Sequence, residues 1–266
     1  MVVRVTLMDK WVLTCLVFVL ILQATAGCGE SQGKKLLVFA AASLAEPLSE
    51  LGVKFSTAND VKINFSFDGS GSLAQSIRRG APADVFISAG PVPMSLLDDE
   101  GKIAHTSRFV LVTNRLVLIS PKNVANPLRS LGQLTTPAVR RIAIADPSLA
   151  PVGWYAKQAL EGLGVWKELE PKIIPASSVR VGLAYVENGF VDAGIVYQTD
   201  AAWSEKVRTV SLLPEDSHSP IMYPAAVINT TEQNELAAQF LEFLRLDAAK
   251  RLFESHGFQS PIQERW

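Results

Sequence analysis

From Lys35 onward the chain alternates short apolar runs with longer amphipathic stretches. Residues 36–40 read as a buried strand. Residues 43–57 read as a helix that sets Leu44, Leu48, Leu51 and Phe55 on one face, the three-to-four-residue spacing of an apolar stripe. A strand over 61–67, a helix over 72–79 and a strand over 85–88 follow. Repeated β-then-α units predict a mostly parallel sheet with helices on both faces. The pattern changes at 109–120, one long β-prone run interrupted only at Thr113-Asn114. Alternation then resumes with strands over 141–145, 172–175 and 193–197 and helices over 153–163 and 179–188. A second extended run, 222–228, precedes an amphipathic helix over 232–244. No repeat or Gly/Ser-rich linker interrupts residues 35–258. Two α/β lobes joined by extended segments is the favoured architecture; one continuous doubly wound domain fits the length equally.

The N-terminus breaks this rhythm. Arg4 and Lys10 precede an uncharged run from 11 to 22, shorter than the ~20 residues a membrane span needs. Small residues follow, Ala24-Thr25-Ala26-Gly27-Cys28, which marks 1–27 as a signal peptide. Two cleavage readings compete: an A-x-A site ending at Ala26, and a lipobox whose Cys28 is lipidated. Thr25 stands where a lipobox usually carries Leu, while the polar stretch over 28–34 suits a tether. An exported chain with Cys28 as its lipid anchor is the favoured reading, so the membrane is touched only through that lipid. Cys15 leaves with the leader, and no intrachain disulfide or catalytic-cysteine chemistry remains.

Composition then excludes more than it assigns. Lys and Arg total 25 against 26 Asp and Glu, a net charge of −1, without the basic footprint that nucleic acid requires. His105, His218 and His256 are scattered and give no HExxH-type spacing for a metal cation.

The chemistry lies in how the helices begin. Ser43-Leu44-Ala45-Glu46 and Ser72-Leu73-Ala74-Gln75 both fit the S-x-x-E/Q capping box. Pro151 opens another helix and Ser177-Ser178-Val179 a fourth. Helix starts leave N–H groups unpaired at a positive dipole end. Several of them at the carboxyl edges of parallel strands would form an anion cradle without Lys or Arg. Residues 69–74 also match the dinucleotide pattern G-x-G-x-x-A. No acid ends a strand ~20 residues later, as ribose binding needs, so this fingerprint is rejected.

A family likeness now follows from the residues. Phe39-Ala40-Ala41-Ala42-Ser43-Leu44 and Gly80-Ala81-Pro82-Ala83-Asp84-Val85 carry it, with Pro151-Val152-Gly153-Trp154-Tyr155 and Gly194-Ile195-Val196-Tyr197. With Pro214-Glu215-Asp216 and Tyr223-Pro224, this series closely resembles the periplasmic molybdate-binding proteins of ABC transporters. The resemblance implies a type II periplasmic-binding-protein fold: two α/β lobes, each a mostly parallel sheet flanked by helices, joined by two extended crossovers. The expected lobes are 35–113 with 230–266, and 114–229. It further implies a monomer in the periplasm that captures molybdate or tungstate and hands it to an inner-membrane permease, with no cofactor and no catalysis. Carried over position by position, the ligand-binding residues are the hydroxyls of Ser43, Ser70 and Tyr197 and the backbone N–H groups at Val152 and Val179. Molybdenum would be held there as an oxyanion and not as a cation.

Asp68 departs from an all-donor site. Its carboxylate either turns outward to loop amides or accepts a proton from a protonated oxyanion. Two rivals to the main reading remain: a binding protein for sulfate or phosphate, and a secreted hydrolase using Ser43 or Ser70. The hydrolase needs a histidine partner and lacks a G-x-S-x-G elbow.

Overall fold

The structure, a computed structural model, describes residues 34–261. The expected leader over 1–27, the lipid acceptor Cys28 and the tether up to residue 33 lie outside the described residues. No helix among those described is long and apolar enough to cross a membrane.

The chain opens with β1 (Lys35–Ala41), α1 (Ala45–Asn59), β2 (Lys62–Asp68), α2 (Ser70–Arg78), β3 (Val85–Ile87), α3 (Pro91–Asp99) and β4 (Phe109–Thr113). It continues through β5 (Leu116–Pro121), β6 (Ile142–Ala145), α4 (Pro151–Gly162), α5 (Trp166–Leu169), β7 (Ile173–Ala176), α6 (Val179–Glu187), β8 (Ala193–Tyr197), α7 (Gln198–Trp203) and β9 (Val207–Leu212). It closes with β10 (Met222–Val227), α8 (Asn234–Arg245) and α9 (Asp247–Ser255). These strands build two sheets, in the orders β2-β1-β3-β10-β4 and β7-β6-β8-β5-β9. In each sheet four strands run in one direction and one, β10 in the first and β5 in the second, runs antiparallel between its neighbours. The result is a two-lobed α/β fold.

The period-two pattern of β1 explains its double-sided burial. Leu36, Val38 and Ala40 join Leu48, Leu51 and Phe55 of α1 in one cluster. The alternate residue Phe39 packs on the other face with Leu73, Ile77, Phe86, Met94 and Leu97. Phe55 lies 5.2 Å from the ring of Phe240 and 5.3 Å from that of Phe243, which ties α1 to α8. Burying each such ring contributes on the order of 2–3 kcal/mol.

The long run over 109–120 is two strands in different sheets. β4 ends at Thr113, β5 starts at Leu116, and Asn114-Arg115 crosses between lobes. The return crossing corrects the expected boundary at 229. β10 pairs antiparallel with both β3 and β4, so Met222–Val227 belongs to the first sheet and the chain returns over 213–221. An apolar run announces a strand, but its partner, set by contacts more than a hundred residues away, leaves no local trace.

Candidate functional site

The parallel strands of both sheets end at one place. In the first lobe, β1, β2 and β3 lead into Ala42-Ser43, Gly69-Ser70 and Ala89. In the second, β6, β7 and β8 lead into Pro151-Val152, Ser178-Val179 and Tyr197. All of these line a single narrow cleft, most of whose roughly 200 Å³ of free space is its open mouth. Ser43, Ser70, Val152, Val179 and Tyr197, dispersed along the chain, are thus brought together at facing carboxyl edges, where open α/β sheets hold ligands. The lining contains no Lys, Arg or His; Asp68 is its one charged side chain among the described residues.

Ser43 does not cap α1. It sits in a 3-10 turn (Ala42–Leu44), Leu44 occupies the cap position, and no side chain caps the helix. The expected capping box fails because both of its members are engaged elsewhere. The Ser43 hydroxyl lies 3.0 Å from that of Tyr223, and Glu46 is taken by Arg180. Ser72 is likewise not a cap: α2 begins two residues earlier, at Ser70, with Gly69 as its N-cap. Ser70 is 1 % exposed, and its Oγ accepts the Ala89 N–H at 3.0 Å.

Two amides at the start of α2, one of the helix starts expected to contribute to the cradle, are spent on the other lobe instead. Gly71 and Ser72 both donate to the Leu149 carbonyl of the other lobe, at 2.8 and 3.2 Å. A Cβ on Gly69 would stand 2.6 Å from the carbonyl oxygens of Leu149 and Ser177, and one on Gly71 2.5 Å from that of Ser148. The glycines that imitate a nucleotide fingerprint are there because the opposite lobe comes this close.

The second lobe keeps its helix starts for the cavity. Pro151 is the first residue of α4 and Val152 follows it. Ser178 caps α6, its hydroxyl accepting the Val181 N–H at 3.4 Å, and leaves Val179 at the first helical position. First-turn N–H groups have no partner within their helix and carry its positive dipole end. Tyr197, 1 % exposed, donates to the Ala89 carbonyl at 3.2 Å. Burial holds its ionisation well above the ordinary tyrosine range, so it remains a neutral donor. Asp68 accepts the adjacent Gly69 N–H at 2.7 Å, a loop-amide contact, while it still lines the cavity and is not turned outward from it.

Three features were missed. Tyr223 and Asn114 stand behind Ser43, and Asn114 Nδ2 donates to the Tyr223 hydroxyl at 3.1 Å. Arg180 joins Glu46 of α1 in the first lobe to Asp200 of α7 in the second, with its Nε 2.6 Å from the Asp200 carboxylate. Burial pushes the Asp200 carboxyl up to about 7 against the opposing pull of Arg180. Only Tyr223 carried a signal, the Tyr-Pro pair within the family pattern.

The histidines are engaged elsewhere. His105 meets Asp98 at 2.9 Å, His218 the Ser219 carbonyl at 2.8 Å, and His256 lies 3.9 Å from Glu50. Ser43 and Ser70 instead bond to Tyr223 and Ala89. Among the described residues no His, Cys, Asp and Glu cluster could hold a metal ion.

Bacterial extracellular solute-binding proteins match this chain over residues 36–259. The chain belongs to that family. As a solute-binding protein it is not an enzyme, and the serines of its cavity are not nucleophiles. It is 38% identical over 239 residues to the molybdate-binding protein ModA of Escherichia coli (strain K12), covering 88% of this chain and 93% of the relative. It is also 38% identical, over 241 residues, to YvgL of Bacillus subtilis (strain 168), whose name places it among the substrate-binding lipoproteins of ABC transporters. That match covers 88% of this chain and 92% of the relative. Among solved structures, the periplasmic molybdate-binding protein of Azotobacter vinelandii superposes with a TM-score of 0.76 at 27% identity, over 85% of this chain and all of the other.

Proposed function

We propose that this protein captures molybdate, or tungstate of the same shape and charge, between its two lobes outside the cytoplasm and delivers it to an ABC permease in the membrane. The observation that carries this reading is the cavity lining: hydroxyls and helix-start amides from both lobes, without a cation. A dianion buried away from water must have its lost hydration replaced by such groups. Hydrogen bonds to a charged acceptor contribute about 1.5–3 kcal/mol each. Donors at Ser43, Ser70, Val152 and Val179, joined by Tyr197 when its hydroxyl turns from the Ala89 carbonyl to the ligand, therefore suffice for tight capture. Without a fixed cation, selectivity rests on size: a smaller oxyanion such as sulfate cannot reach donors on both lobes at once. The close approach of Gly69 and Gly71 to the facing loop supports a site completed by lobe closure.

The protein acts as a monomer, with 35–113 and 222–261 as one lobe and 116–212 as the other. Cys28 carries the lipid that keeps it at the membrane, a reading supported by the YvgL match. Mass spectrometry of the mature N-terminus tests this: a diacylglyceryl adduct on Cys28 supports the anchor, and a chain starting at Gly27 contradicts it.

Calorimetry with molybdate tests the site. Ser43→Ala and Tyr197→Phe each remove one donor and lower affinity by about tenfold or more, while melting temperature stays near that of the parent. Unchanged affinity in both variants would overturn the assignment.

A further inference from the structure

A serine hydroxyl can point its proton or its lone pairs at a ligand, and an anion rewards only the first. The network behind Ser43 decides which. Asn114 Oδ1 accepts the Arg115 N–H at 2.8 Å, a group that can only donate, so the amide orientation is determined. Asn114 Nδ2 then donates to Thr199 Oγ1 at 2.9 Å and to Tyr223 Oη at 3.1 Å. Tyr223 is fully buried and, held neutral by that burial, has one proton to place. Hydrogen-bond geometry links it to Asn114 Nδ2, which cannot accept, and to Ser43 Oγ at 3.0 Å, while the neighbouring Tyr197, its ring 5.7 Å away, directs its hydroxyl to the Ala89 carbonyl. The Tyr223 proton therefore goes to Ser43, and the proton of Ser43 is left for the cavity.

We propose that Asn114 and Tyr223 are positioning residues that polarise Ser43, so that it meets the bound oxyanion only as a hydrogen-bond donor. The chain of donation runs Asn114 to Tyr223 to Ser43 to ligand, and begins at the crossing between lobes. Ser70 is biased the same way in one step, since the Ala89 N–H takes one of its lone pairs at 3.0 Å and leaves its proton free. The inference rests on the reading of Ser43 as a ligand-binding residue.

The test is calorimetric titration of the purified protein with molybdate in two backgrounds, parent and Ser43→Ala. Tyr223→Phe keeps the ring and its packing against Tyr197 and Phe258 but removes the proton given to Ser43. In the parent it lowers affinity about threefold to tenfold; in Ser43→Ala it changes nothing further. Asn114→Asp is the second arm. It preserves shape and the Arg115 contact but turns the donor into an acceptor, so Tyr223 donates backwards and Ser43 turns its lone pair toward the anion. The expected loss is about a hundredfold in the parent and much smaller in Ser43→Ala, where only the added charge acts.

Equal losses in both backgrounds, or no loss from either variant in the parent, would overturn the relay. Failure of the underlying site looks different: the parent does not bind molybdate, or Ser43→Ala binds as the parent does.

Discussion

Gly71→Ala is a direct probe of how closely the lobes meet. The new Cβ would stand 2.5 Å from the Ser148 carbonyl oxygen and 2.8 Å from that of Leu149. Both are backbone atoms of the opposite lobe and cannot swing aside like a side chain. Contacts below 3.0 Å are essentially never seen for a Cβ, so the facing loop must retreat by about half an ångström. That retreat also stretches the Gly71 N–H bond to Leu149, now 2.8 Å, and draws Val152, three residues further on, away from the first lobe. Overpacking of this kind costs about 1–3 kcal/mol. The opposite lobes can part to relieve it, so the cost falls on closure and affinity, at roughly fivefold to a hundredfold. Calorimetry measures the affinity, and thermal melting without ligand shows whether each lobe is intact. Gly132→Ala, where a Cβ meets nothing within 4 Å, is the control. Parent-like molybdate affinity in Gly71→Ala would refute the idea that the two loops must meet this closely for binding.

Three further outcomes follow from the same geometry. Arg180→Met leaves Asp200, fully buried, without its counter-ion and destabilises the protein by about 3–5 kcal/mol at pH 8; urea unfolding should show a smaller loss at pH 5, where the carboxyl takes up a proton. Asp200 itself titrates at about 7 in the folded protein against 3.8 when unperturbed. The folded state therefore holds the extra proton between these values, and this group's contribution to stability falls as pH rises from about 4 to about 7. Asp200→Asn should remove that slope from the melting temperature, and an unchanged slope would contradict the assignment. Phe240→Ala, deep in the aromatic cluster of the first lobe, costs about 3–5 kcal/mol in urea unfolding and leaves molybdate affinity unchanged under native conditions.

Much of the architecture was legible in local patterning. Lobe-building strands such as Ala193–Tyr197 were found to the residue, because buried parallel strands read as unbroken apolar runs between turn signals. The pattern also located the interruption at Asn114, where the expected boundary between 35–113 and 114–229 was drawn and where the chain crosses from one sheet to the other. What escaped was non-local. Met222–Val227 is an apolar strand whether it pairs with β3 or with a strand of the other lobe. Ser43 and Ser72 carry real capping signatures, yet Tyr223, Arg180 and Leu149 redirect the groups involved through contacts far apart in sequence. No helix was expected over Pro91–Asp99 (α3), although Pro91 in its first turn is compatible with a helix start. The five cavity residues came from family likeness joined to the physics of helix starts, and neither the glycine fingerprint nor any single serine would have isolated them. Arg180 had no signal at all: an arginine in a helix pattern reads as solvent-facing until Asp200 is seen buried beside it.

Ligand selectivity tests the oxyanion site most directly. Calorimetric titration of purified protein lacking residues 1–27, using molybdate, tungstate, sulfate and phosphate in turn, should give tight one-to-one binding for the first two. Sulfate and phosphate should bind at least a hundredfold more weakly. Sulfate binding as tightly as molybdate would contradict selection by size, and heat from none of the four would contradict an oxyanion site at the meeting of the two lobes.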